Sequence, residues 1–196
     1  MKKNISVAID GPGGAGKSTI AKAVAAKKGL IYLDTGAMYR SLALYAIRNG
    51  VDFDDGISDE EREIIGGLWD SFDLGVKYID GVQHMFVNGE DVSGLIRTPQ
   101  VSMGASRVSA LPEVRVRLVE MQREIGKSAD IIMDGRDIGT HVLKDATVKI
   151  FLTASAEARA KRRYDELMEK GAEVDFAFAE SVNYRMKSAC FVFNEN

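Results

Sequence analysis

Eight residues near the start of the chain, Gly11-Pro12-Gly13-Gly14-Ala15-Gly16-Lys17-Ser18, match G-x-x-x-x-G-K-[ST] in full. A β-branched run, Ile5-Ser6-Val7-Ala8-Ile9, precedes them and ends at Asp10. A stretch from Lys17 to Lys28 follows, with Ile20, Ala21, Val24 and Ala25 at helical spacing and Gly29 at the C-terminal cap position. Strand, glycine loop and helix form the context in which this motif binds a nucleoside triphosphate. Glycines let successive backbone N–H groups curl around phosphate without Cβ clashes, and the helix N-terminus adds a favourable dipole. The segment Gly11, Pro12, Gly13, Gly14, Ala15, Gly16, Lys17, Ser18 and Thr19 is therefore the expected nucleoside triphosphate-binding loop. Lys17 is expected on the β- and γ-phosphates and Ser18 on Mg²⁺. A glycine-rich turn that binds nothing is the bland alternative, and the full match in context argues against it.

The motif dictates the surrounding fold class. Leu30-Ile31-Tyr32-Leu33 reads as a second strand, which closes a βαβ unit with a parallel crossover. Ile131 to Asp134 and Val148 to Leu152 supply two more strands, with a helix expected over Glu113 to Lys127. The expectation is an α/β fold: a P-loop core whose parallel sheet is flanked by helices. The middle of the chain departs from that rhythm. Leu74, Val76 and Tyr78, then a turn at Ile79-Asp80-Gly81, then Val82, His84 and Phe86 alternate with period two, the mark of an antiparallel hairpin. We place this hairpin in a lobe inserted at about residues 36–97 of a single domain spanning 1–196, in keeping with the chain length.

Charge and cysteine content narrow the function classes. Lys and Arg number 26 against 29 Asp and Glu, a net charge of −3, which argues against a protein that coats nucleic acid polymers. A single cysteine, Cys190, excludes an internal disulfide framework and multi-cysteine metal patterns, and makes a reducing compartment the simplest setting. The apolar stretch after Met1-Lys2-Lys3 stops at Asp10, and no run approaches a membrane span, so a cytoplasmic chain with no membrane partner is expected. The guanine-reading N-K-x-D is absent, which disfavours a GTPase, and Asp91-Val92-Ser93-Gly94 reads as a turn rather than a switch D-x-x-G. His84, His141 and Trp69 read as structural, and Met38, Met85 and Met133 as core fillers.

Further motifs carry a resemblance. Leu33-Asp34-Thr35-Gly36-Ala37-Met38-Tyr39-Arg40, Asn88-Gly89-Glu90-Asp91-Val92-Ser93, Ile96-Arg97-Thr98, Ala105-Ser106-Arg107-Val108-Ser109, Pro112 with Val114-Arg115, and Asp134-Gly135-Arg136-Asp137-Ile138-Gly139-Thr140 all contribute. With Arg159-Ala160 and Arg162-Arg163, the chain from Ile5 to Arg185 resembles the bacterial cytidylate kinases, P-loop kinases that phosphorylate CMP and dCMP with ATP and Mg²⁺. The resemblance implies an enzyme of pyrimidine nucleotide metabolism, and a monomer is the expected state. It has a core, a monophosphate-binding insert and a small helical lid at about 154–171. It implies Thr35 and Arg40 at the acceptor nucleotide, Arg40 and Arg136 on phosphate, and Ser106, Arg115, Asp134 and Asp137 around cytosine. It adds Arg185 as a phosphate contact, and Lys17, Arg40, Arg136, Arg159 and Arg163 as the catalytic cations.

Bland readings stand beside these. Asp134 ends an apolar run, so it is either a carboxylate near Mg²⁺ or a strand-end turn former, and Arg136 and Asp137 could simply pair with each other. Arg159, Arg162 and Arg163 share a helical face that, without context, is a solvated basic stripe, and Arg115 suits a surface salt bridge. After Arg185 the family continues with an Arg/Asp-rich stretch, a further strand and a helix, whereas this chain reads Met186 to Asn196. That atypical, shortened C-terminus lacks an aspartate expected near the acceptor ribose and a later phosphate arginine. The expectations are low stability and weakened acceptor binding, and the alternative function is a nucleotide-binding chain with impaired turnover.

Overall fold

The motif loop leaves the C-terminal end of a strand and enters a helix. The computed structural model, which describes residues 4–169, orders the elements around it as β1 (Ser6–Asp10), α1 (Lys17–Lys28), β2 (Ile31–Asp34), α2 (Thr35–Arg48), α3 (Asp59–Gly67), β3 (Leu74–Ile79), β4 (Val82–Val87), β5 (Glu90–Asp91), α4 (Pro99–Val108), α5 (Pro112–Ser128), β6 (Ile131–Gly135), β7 (Val148–Phe151) and α6 (Ala156–Glu169). The described chain divides into two units, one formed by residues 4–31 and 129–169 and the other by 32–128.

In the first unit β1 lies between β6 and β7, parallel to both, with Ile9 beside Asp134 and Ile150. The sheet order is β2-β6-β1-β7, and β2 joins it at Ile31, whose N–H donates to the Asp130 carbonyl at 2.9 Å. Ala8, Ile9, Ile131, Ile132 and Met133 are buried, and Ala21 and Ala25 turn the small face of α1 to the interior. These near-continuous apolar runs are what a parallel strand covered on both faces requires. β7 differs: among the described residues β1 is its only strand partner, and its four residues are exposed.

The second unit contains the expected hairpin. β3 and β4 pair antiparallel from Leu74 with Val87 to Ile79 with Val82, and Asp80 and Gly81 turn the chain with φ of 51° and 77°. Positive φ at both central residues suits a two-residue turn of type I′, which matches the twist of the strands. A second turn of this kind, Asn88-Gly89 with φ of 50° and 83°, adds β5 to the sheet. α2 and α4 pack face to face where Gly104 leaves room for the Phe53 ring and the Ala43 methyl. Met38 and Met85 are buried in this unit and Met133 in the first, the core roles expected of them. The unit runs to Ser128, with α4 and α5 packed onto α2.

Candidate active site

In the first unit the loop geometry follows from its glycines. Gly11, Gly14 and Gly16 sit at φ of 144°, 74° and 95°, conformations that other residues rarely adopt. A Cβ on Gly11 would run into the Leu152 carbonyl oxygen, and one on Gly14 would lie 3.2 Å from the Cβ of Arg159. Gly16 begins α1 with no side chain capping the first turn, where orphan N–H groups suit an anion. Lys17 Nζ donates to the Pro12 carbonyl at 2.9 Å, which curls the side chain back over the loop.

Two arginines of α6 add to this charge. Arg162 donates to the Gly14 carbonyl at 3.0 Å, and Arg159 approaches the Gly13 carbonyl at 3.5 Å. Arg159 is 3% exposed, so it is not part of a solvated stripe, and its buried Nε has no hydrogen-bond partner. A buried guanidinium with an unmet donor beside a glycine loop fits a polyanion such as a triphosphate. Arg163 instead pairs with Glu166 of its own helix at 2.9 Å. Of Arg159 and Arg163, the two arginines of this helix expected at the phosphates, the structure brings Arg159 to the loop and pairs Arg163 with Glu166; Arg162, which the resemblance did not place there, is the second guanidinium at the loop.

Ser18 Oγ donates to Asp134 Oδ2 at 2.8 Å, and Asp134 is buried at the end of β6. A hydroxyl and a carboxylate are hard oxygen donors, the set that Mg²⁺ uses alongside substrate phosphates and water. The residues present therefore fit the ion that this class of loop implies. Arg136 follows, exposed, and Asp137 lies 3.6 Å from His141 Nδ1.

Asp10, the last residue of β1, has a role that its place in the sequence does not display. Its carboxylate accepts from the N–H groups of Ile138 and Gly139 at 2.7 and 2.8 Å, which fixes the turn after Arg136 and Asp137. Burial pushes its pKa up, against the lowering effect of those two hydrogen bonds. A partner 128 positions away leaves no local signal.

The second unit carries the residues expected at the acceptor. Thr35 is buried at the start of α2, and Asp34 caps that helix by accepting from the Ala37 N–H at 3.0 Å. Arg40, one turn on, donates to Asp34 Oδ2 at 2.7 Å. Ser106 is exposed on α4 and Arg115 half-buried on α5. Arg185, lid residues 170–171 and the chain after 185 lie outside the described residues.

A parallel sheet that delivers a lysine-bearing glycine loop to a helix N-terminus defines the class of P-loop phosphate-binding proteins. The family model described as cytidylate kinase matches residues 7–187. The chain is 54% identical over 174 residues to a cytidylate kinase of Caldicellulosiruptor bescii, covering 89% of this chain and 74% of that one. It is 47% identical over 176 residues to a cytidylate kinase of Bacillus subtilis, covering 90% and 76%. The chain belongs to the cytidylate kinase family, and so to the phosphotransferases, as the sequence motifs led us to expect. No helix among the described residues is long and apolar enough to cross a membrane.

Proposed function

We propose that the chain transfers the γ-phosphoryl group of ATP to CMP or dCMP. An oxygen of the acceptor phosphate attacks the γ-phosphorus, the bond to the β,γ-bridging oxygen breaks, and the leaving electron pair stays on ADP. The acceptor oxygen is already ionised at neutral pH, so no general base is needed and the work is positioning and charge neutralisation. What carries this reading is the lysine-bearing glycine loop, with the Arg159 and Arg162 guanidiniums held at its carbonyls, in a chain of the cytidylate kinase family.

Lys17 would bind the β- and γ-phosphates, and Ser18 with Asp134 would hold Mg²⁺, which when bound neutralises phosphate charge. Arg159 and Arg162 would exchange loop carbonyls for phosphate oxygens. Arg40 and Arg136 would hold the acceptor phosphate. Ser106, Arg115 and Asp137 would read cytosine, whose N4 amine donates to a carboxylate while N3 and O2 accept from an arginine. Uracil would set O4 against that carboxylate, leaving buried groups unpaired.

The test is an ADP-release assay with ATP, Mg²⁺ and CMP on the wild-type chain and on Lys17→Ala. We expect turnover in the first and its loss by at least about a hundredfold in the second, with the fold intact by circular dichroism. Turnover unchanged in Lys17→Ala would overturn the assignment of the loop. ATP binding without product in the wild-type chain would establish the impaired chain instead.

A further inference from the structure

One carboxylate in the second unit faces two guanidiniums. Asp34 Oδ2 accepts from Arg40 at 2.7 Å and lies 3.4 Å from a terminal nitrogen of Arg97. Asp34 itself is anchored: Oδ1 caps α2 through the Ala37 N–H, its own N–H donates to Gln83 Oε1 at 2.7 Å, and its carbonyl accepts from Gln83 Nε2 at 3.3 Å. The cluster of one anion and two cations keeps a net positive charge in a chain whose net charge is −3.

Three observations indicate that this charge is held for an anion. Arg40 Nε is buried and has no hydrogen-bond partner, so the guanidinium has donor capacity that Asp34 does not use. Gly36 leaves the space that lets the Arg40 guanidinium lie against the helix start; a Cβ there would sit 3.0 Å from Arg40 Nη1 and 3.2 Å from Asp34 Oδ1. Arg97 is held at long range with its side chain 56% exposed, and an exposed ion pair of that kind is weak enough to exchange.

Resting on the acceptor reading above, we propose that Arg97 is a second binding cation for the acceptor's phosphate monoester. Asp34 is the internal counter-ion that orients Arg40 and Arg97 until the phosphate arrives. A guanidinium fork matches two phosphate oxygens, and two forks match the charge of a phosphate dianion. Asp34 keeps its hold on the helix through Oδ1 while Oδ2 shares or releases the cations.

Calorimetric titration of the full chain with CMP and with cytidine, which lacks the phosphate, isolates this role. Arg97→Ala and Arg97→Gln should each weaken CMP binding about tenfold or more, the scale of a lost charge-assisted hydrogen bond, and leave cytidine binding within about twofold. Equal weakening for both ligands would make Arg97 a structural residue and overturn the proposal. So would wild-type preference for CMP retained in both variants. A wild-type chain that binds CMP no better than cytidine would overturn the acceptor reading itself, and this proposal with it.

Discussion

Replacing Gly104 with alanine tests whether the packing of α2 against α4 holds the acceptor residues in place. An added Cβ would lie 2.5 and 2.7 Å from two ring carbons of Phe53 and 3.2 Å from the Ala43 methyl. Carbon contacts settle at about 3.5–4.0 Å, so the fully buried Phe53 ring would have to move by about 1 Å. Overpacking of this kind costs up to about 3 kcal/mol, and alanine returns about 1 kcal/mol of helix propensity. The net destabilisation is about 2 kcal/mol, which lowers Tm by about 4–8 °C. Gly66 in α3 is the control: a Cβ there meets nothing within 4 Å, so Gly66→Ala should be neutral or stabilising by up to about 1 kcal/mol. Urea unfolding followed by fluorescence of Trp69, the single tryptophan, reports on this unit. Ser106 lies two residues after Gly104 and Arg40 sits on α2, so Gly104→Ala should also raise the CMP KM more than it changes the ATP KM. Equal stability of Gly104→Ala and wild type would refute the packing argument.

Asp10→Ala orphans the buried N–H groups of Ile138 and Gly139; after relief of the carboxylate's desolvation we expect a net loss of about 2 kcal/mol in urea unfolding, and an equally stable variant would contradict the role. In the second unit the Ser93 hydroxyl and N–H, and then His84, draw the Asp91 carboxyl down to about 2. Its folded value lies below the ordinary 3.8, so its contribution to stability is complete above that value and is lost as pH falls towards about 2. An NMR titration of the carboxyl carbon should find the midpoint near 2, and a midpoint at 3.8 would contradict the hydrogen-bond pattern.

Where a feature is local, the sequence shows it. The loop from Gly11 to Ser18 is a contiguous pattern between a strand and a helix, and both are found there. The β3–β4 hairpin shows in its period-two alternation, and Asn88-Gly89 is the dipeptide that favours the tight turn adding β5. Asp91 accepts from the N–H and hydroxyl of Ser93, the turn expected of that D-x-x-G match. Features set by distant partners were not legible. The spacing of Arg159, Arg162 and Arg163 shows that they share a face, but which of them the loop takes depends on where α6 packs. Asp10 meets residues 128 and 129 positions away, and Gly104 fits against the Phe53 ring from a helix 51 residues on, which no periodicity reveals.

The measurement that tests the central claim most directly is ADP release by the wild-type chain with ATP and Mg²⁺ and, in turn, CMP, dCMP, UMP and AMP. Turnover confined to CMP and dCMP is the predicted result. Turnover with UMP or AMP comparable to that with CMP, or none with any acceptor, would contradict it.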